Sequence, residues 1–267
     1  MKTRTITGII FVIVMLGSIL AGYYVFSLFY VLLSLLCLSE FYGLVRSSGI
    51  RPHRTLGFLT GSLIFLSCIA YLFFQFPIKY LLLNIPVLCA VFIAELYKRS
   101  EVPFVNIGFT FIGVLYIIVP FCFFHGLGFL FGGYNLIVPL GFLLLLWGND
   151  TGAYLFGMKF GRRRLFERHS PKKTWEGFFG GMATSLAVAY ILSYYHHELV
   201  LIQWLIMSLI VVCFGTLGDL VESMFKRSID AKDSGKLLPG HGGVLDRFDG
   251  LFLSAPVVFV YLYLVLH

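Results

Sequence analysis

Nine mostly apolar stretches follow one another along this chain, at 5–22, 25–45, 56–75, 79–97, 104–124, 135–157, 177–195, 199–222 and 248–266. About 20 such residues carry an α-helix across the hydrocarbon of a bilayer. A helix can do this because it satisfies its backbone hydrogen bonds within one segment. The fold expected is all-α: a polytopic membrane protein with about nine transmembrane helices. Composition agrees, since only 12% of residues are charged, about half the share in a soluble domain. The first two runs are parted only by a hinge near Gly22-Tyr23-Tyr24 and could be misread as one helix. Lys2 and Arg4 ahead of an apolar run also resemble a signal peptide. No small-x-small cleavage site follows, and eight more runs do, so the first run is read as retained.

The charges give an orientation. With the N-terminus in the cytoplasm and the C-terminus outside, 19 of the 20 Lys and Arg fall on the cytoplasmic side, leaving only Lys79 outside. Cytoplasmic loops of membrane proteins carry such an excess. The net charge of +7 therefore reads as a topology signal and a contact with anionic lipid, with no nucleic-acid partner. The five cysteines (37, 68, 89, 122 and 213) all sit inside apolar runs and read as buried small hydrophobes.

The chain divides by chemistry. Residues 1–135 read as a set of N-terminal transmembrane helices, in which Glu40 and Glu95, late in their helices, read as interfacial. Residues 136–267 read as a catalytic transmembrane region with cytoplasmic loops 158–176 and 224–247. Ionisable groups at membrane depth are costly and mark function. Asn149 and Asp150 come late in the sixth run. Asp219, Glu222, Ser223 and Lys226 share a helical face at the end of the eighth, where Gly215 and Gly218 allow a close approach. Before the ninth run stand Pro239-Gly240-His241-Gly242-Gly243, then Asp246, Arg247 and Asp249. Asp246 and Asp249 form an i, i+3 pair if the last helix has already begun there. The glycines free N–H groups to face an anion. The loop between the sixth and seventh runs adds Ser170, Lys172, Lys173 and Thr174 to a basic stretch. Carboxylates beside cations and a glycine loop suit Mg²⁺-dependent work on phosphates. No Walker-type phosphate loop, nucleophile elbow or zinc-protease motif is present. Composition and spacing alone stop at metal-assisted phosphate chemistry on the cytoplasmic side of a membrane.

The segment from Ser223 to Asp249 resembles the signature of the phosphatidate cytidylyltransferase (CDP-diacylglycerol synthase) family. The blocks Asn149–Tyr154 and Ser170–Gly177 with Gly180-Gly181 are similar to it as well. The likeness spans roughly 147–250 and touches the first 135 residues only as a set of spans. It implies an enzyme of the inner membrane that joins CTP to phosphatidic acid within the lipid bilayer. The lipid phosphate attacks the α-phosphorus of CTP and pyrophosphate leaves, with Mg²⁺ as cofactor. By resemblance Asp219 and Asp246 are the metal carboxylates, and Lys226 and Asp249 join them as catalytic candidates. Asn149, Asp150, Ser170, Lys172, Lys173, Thr174, Ser223, Arg227, Lys232, His241, Gly242, Gly243 and Arg247 are the substrate-binding candidates. A homodimer is allowed but not required. Two rivals stay open: a CTP-dependent lipid-alcohol kinase or related CDP-lipid synthase, and, more remotely, a secondary transporter.

Overall fold

The computed structural model describes residues 2–168, 170–231, 234, 235 and 242–267. Lys232 and His241 lie outside the described residues. Helix α1 (Lys2–Leu20) and helix α2 (Tyr23–Ser47) part at Gly22, whose φ is +93°. A Cβ disfavours that conformation and glycine does not, so the hinge falls there and the two runs are two helices. Helix α3 (Arg54–Leu72) follows, and a 3-10 turn (Ile78–Leu83) leads into α4 (Asn84–Leu96). Helices α5 (Pro103–Gly113) and α6 (Val119–Leu127) are joined by a π-helical segment, Val114–Ile118, into one rod. Pro120 explains the segment: it has no N–H for the carbonyl of Tyr116, and its ring crowds that carbonyl.

Helices α7 (Ile137–Phe160), α8 (Trp175–Tyr195), α9 (Leu201–Ser228) and α10 (Asp249–Leu266) complete the bundle. Among the described residues, nine helical rods thus stand where nine apolar runs were expected. Seven are long and apolar enough to cross a membrane. The apolar part of α1, Thr7–Leu20, is shorter, and α7 carries Asn149, Asp150 and Thr151 within its 24 residues. The chain is an all-α, multi-pass membrane protein.

One apolar core runs from Met15 in α1 to Leu262 in α10. The α5–α6 rod is the most enclosed of the seven apolar spans. Large apolar residues such as Leu82, Leu83, Leu96, Phe104 and Leu264 face outward, which lipid tolerates and water does not. Cys37 and Cys122 are buried as expected of small hydrophobes, but Cys89 and Cys213 are exposed on the flank of the bundle.

Glu40 and Glu95, read from the sequence as interfacial, are both buried within the protein. A carboxylate away from water needs donors, and each has them. Glu95 pairs with His53, accepts from Asn106 Nδ2 at 2.7 Å and from Lys98 Nζ at 3.4 Å. Asn106 Oδ1 in turn accepts from the Arg51 N–H at 2.8 Å, so the network fixes the turn between α2 and α3. Glu40 serves the other half of the chain, as described below.

Candidate active site

The late polar residues of α7 are positioned by α8. Gly152 and Gly157 on α7 meet Gly177, Gly180 and Gly181 on α8, and a side chain at most of these positions would collide with the facing helix. Small residues let membrane helices approach this closely. Asn149 is packed against Gly181, while Asp150 reaches open space. Higher in the bundle, Ser185 Oγ donates to the Leu145 carbonyl at 3.1 Å and Ser208 Oγ donates to Ser185 at 2.9 Å, tying α7, α8 and α9 together.

Between α7 and α8 the basic loop is a short antiparallel hairpin, β1 (Arg164–Phe166) and β2 (Ser170–Thr174), with Arg164 opposite Thr174 and Phe166 opposite Ser170. Glu176 stabilises its base by accepting from the N–H groups of Arg162 and Arg163 at 3.0 and 3.2 Å. Thr174 caps α8, its Oγ1 accepting from the Gly177 N–H at 3.1 Å. Such a cap satisfies an N–H that the helix leaves unpaired. The hairpin thereby sends Lys173 toward α9, where Nζ stands 2.6 Å from Asp219 Oδ2.

The end of α9 is a line of i, i+4 contacts. Ser223 Oγ donates to Asp219 Oδ1 at 3.3 Å, and Lys226 Nζ stands 3.0 Å from Glu222 Oε1. Lys226 also reaches Asp246 Oδ1 at 2.8 Å. Its charge is thus held between two carboxylates. Gly215 and Gly218 fulfil their expected purpose, since the start of α10, at Asp249 and Gly250, packs directly on them.

The last helix has not begun at Asp246. That residue lies in a 3-10 turn, Leu245–Arg247, and Phe248 breaks from helical geometry before α10 starts at Asp249. Asp246 and Asp249 are therefore set by two elements, not by one helical face. The Asp246 carboxylate accepts at Oδ2 from the Ser234 and Gly243 N–H groups at 3.1 and 3.2 Å. Burial alone would raise its pKa. Hydrogen bonds from the Lys226 ammonium and the Ser234 N–H outweigh burial and bring it down to about 2. Gly242, with φ +85°, makes the turn that aims these donors.

These elements enclose a cavity of about 680 Å³. Its polar lining is Asn149, Asp150, Lys172, Lys173, Thr174, Asp219, Asp246, Arg247 and Asp249. Its apolar lining includes Phe11 and Val12 of α1, Trp147 and Met158 of α7, Leu165 of β1 and Phe178 of α8. Of the other described candidates, Ser170, Ser223, Lys226, Arg227, Gly242 and Gly243 lie outside this lining. Among the described residues, no three His, Cys, Asp or Glu side chains come together as a ready-made metal site. The acidic donors in the wall are all oxygen, which suits a hard divalent cation that completes its shell with water and substrate phosphates.

Sequence reasoning missed two contributors. One is the α1 wall. The other is Glu40, whose carboxylate accepts from the N–H groups of Val244 and Leu245 at 3.0 and 2.8 Å. The signal was present, because an acid late in an apolar helix is a functional candidate in either half of the chain.

Residues 2–265 match the cytidylyltransferase family. The chain belongs to that family. Among its relatives, phosphatidate cytidylyltransferases of Staphylococcus epidermidis and Staphylococcus aureus are each 34% identical to it, over 97% of this chain and 97% of the relative. The phosphatidate cytidylyltransferase of Staphylococcus saprophyticus matches at the same identity and coverage. The family match reaches well beyond the 147–250 region carrying the motifs. It takes in α1, which lines the cavity, and α2, which carries Glu40.

Proposed function

We propose that this chain transfers the CMP group of CTP to phosphatidic acid, giving CDP-diacylglycerol and pyrophosphate. The observation that carries this reading is the mixed lining of the cavity: carboxylates and lysines together with apolar side chains from α1, α7 and α8. A phospholipid with an anionic head and apolar tails presents both kinds of surface. The three relatives bear the name of this activity along nearly their whole length.

In this reading a phosphate oxygen of the lipid forms a bond to the α-phosphorus of CTP. The bond from that phosphorus to the bridging oxygen breaks, and the electron pair leaves with pyrophosphate. The lipid phosphate is already ionised near neutral pH, so positioning and charge neutralisation carry most of the catalysis. Lys172, Lys173 and Arg247 meet the anionic groups and offset charge that grows on the leaving phosphates. Asp150 and Asn149 orient the substrates from α7. Lys226 acts through Asp246, holding it in place. Asp219 and Asp246, with Asp249 as a further candidate, would hold Mg²⁺. When bound, Mg²⁺ would neutralise charge on the phosphates. The excess of Lys and Arg in alternate loops supports an inner-membrane protein with its N-terminus and this cavity on the cytoplasmic side, where CTP is available.

The test is an assay of purified protein in mixed micelles with CTP labelled at the α or the γ phosphate. Label from the α position should enter lipid, and pyrophosphate should appear only with CTP, phosphatidic acid and Mg²⁺ together. Label from the γ position in lipid would replace this reading with a lipid kinase. Uptake into proteoliposomes without pyrophosphate would replace it with a transporter.

A further inference from the structure

Glu40 lies in the first half of the chain, nearly 200 residues before the loop that it contacts. It belongs to a rigid part of α2: Cys37, Leu38 and Phe41 around it are fully buried, and Phe41 stacks on Phe225 of α9 at 4.8 Å. From there the carboxylate receives three donors. The N–H groups of Val244 and Leu245 are two, and Ser234 Oγ, at 3.3 Å, is the third. Ser234 Oγ also accepts from the Asp246 N–H at 3.3 Å, while the Ser234 N–H donates to the Asp246 carboxylate. Gly235 and Gly243 pack directly on the Glu40 carboxylate, leaving no room there for a Cβ. Val244 and Leu245 are buried at the start of the 3-10 turn, where N–H groups lack partners within the helix.

We infer that Glu40 is a positioning residue for the catalytic carboxylates, capping from α2 the turn that presents Asp246, Arg247 and Asp249 to the cavity. The inference rests on the reading of that cavity as the cytidylyl-transfer site. A buried carboxylate could be repaid by any donors. Here all three come from the segment bearing Asp246, and one of them also holds the Asp246 backbone. Water could not replace Glu40 without opening this buried contact, and a neutral amide would present N–H groups to donors that need an acceptor.

The experiment compares Glu40→Gln, Ser234→Ala and Glu95→Gln with the unaltered protein by three readouts: pyrophosphate release per folded molecule, thermal melting, and hydrogen exchange of peptides covering 242–248. Glu95 is also buried and hydrogen-bonded, but its partners lie in the α2–α5 region. Glu40→Gln should lower kcat by about tenfold or more and speed exchange in 242–248 selectively. Ser234→Ala should do the same more weakly, and the double variant should fall less than the product of the two single effects. Glu95→Gln should shift melting without lowering kcat of the folded fraction. Unchanged kcat and unchanged exchange in both Glu40→Gln and Ser234→Ala would overturn the inference. So would a Glu40→Gln loss explained entirely by the folded fraction, with exchange raised evenly along the chain. If Glu40→Gln does not fold, Ser234→Ala alone decides by the same two readouts. If the unaltered protein forms no pyrophosphate from CTP and phosphatidic acid, the functional reading falls, and the exchange arm still decides whether Glu40 holds the turn.

Discussion

Lys173 Nζ stands 2.6 Å from Asp219 Oδ2, joining the hairpin between α7 and α8 to the C-terminal third of α9. Both side chains remain partly exposed, at 26% and 36%. An ion pair this open contributes little to stability, and each member can turn to a substrate or a cation. The pair links the two regions that the proposed reaction must bring together, one cationic and one acidic.

Asp219→Asn should therefore separate catalysis from stability. We expect kcat to fall by about a hundredfold or more, since a carboxylate aimed at a polyphosphate–metal complex has no neutral substitute. The melting midpoint should move little. Pyrophosphate release and thermal unfolding of the same preparation check both halves. Near-normal turnover would remove Asp219 from the reaction centre.

Asp246 has a pH signature of its own. Its carboxyl lies at about 2 in the folded chain, below the ordinary value of about 3.9. The group is depressed, so its stabilisation is fully present above about pH 4 and is lost as pH falls toward 2. The difference corresponds to about 2–3 kcal/mol. In chelator, Asp246→Asn should melt lower than the unaltered protein at pH 6, and the gap should narrow steadily from pH 4 to pH 2. A gap that is constant across this range would show that the ionised carboxylate is not the source of the stabilisation.

The helical frame was legible because the bilayer imposes one length on every span, and because Gly22 punctuates the shortest break. The close crossing at Gly215 and Gly218 was legible too, since two glycines on one helical face near a carboxylate have few other uses. Other features depend on partners distant in sequence. Glu40 read as interfacial because its donors lie about 200 residues away. Lys226 read as a catalytic candidate, and only three-dimensional proximity places it between Glu222 and Asp246. The hairpin was hidden because its arginines and lysines show no alternation of apolar and polar residues, and its pairing is held in place by the Glu176 contacts at its base and the Thr174 cap. The three-residue offset between Asp246 and the true start of α10 turned on Phe248, whose backbone no local pattern announces.

Gly218→Ala should act through the helix crossing. A methyl group there would drive into the Asp249 carbonyl, a backbone atom with nowhere to retreat inside a packed bundle. Overpacking of this kind costs about 1–3 kcal/mol. The variant should melt lower and, because Asp249 moves with the carbonyl, lose turnover in its folded fraction as well. Gly108→Ala, where no neighbour lies within 4 Å of the added carbon, should leave both unchanged. Equal behaviour of the two variants would show that the α9–α10 contact tolerates a side chain.

Glu176 makes the order of the hairpin testable by proteolysis. Its carboxylate accepts from the N–H groups of Arg162 and Arg163, which anchors a strongly basic segment to the first turn of α8. A negative charge at a helix N-terminus is also favourably placed against the helix dipole. Removing it in Glu176→Ala leaves both N–H groups to water and frees the segment ahead of β1. Trypsin should then cut after Arg162, Arg163 or Arg164 faster than in the unaltered protein, while the transmembrane core melts at the same temperature. Glu176→Gln keeps an oxygen acceptor but loses the charge, so its cutting rate should fall between the two. Because Lys173 reaches Asp219 only from the far strand of this hairpin, turnover should fall in the same order as protection from trypsin. Faster cutting in Glu176→Ala with undiminished turnover would mean that Lys173 finds Asp219 without the anchored hairpin.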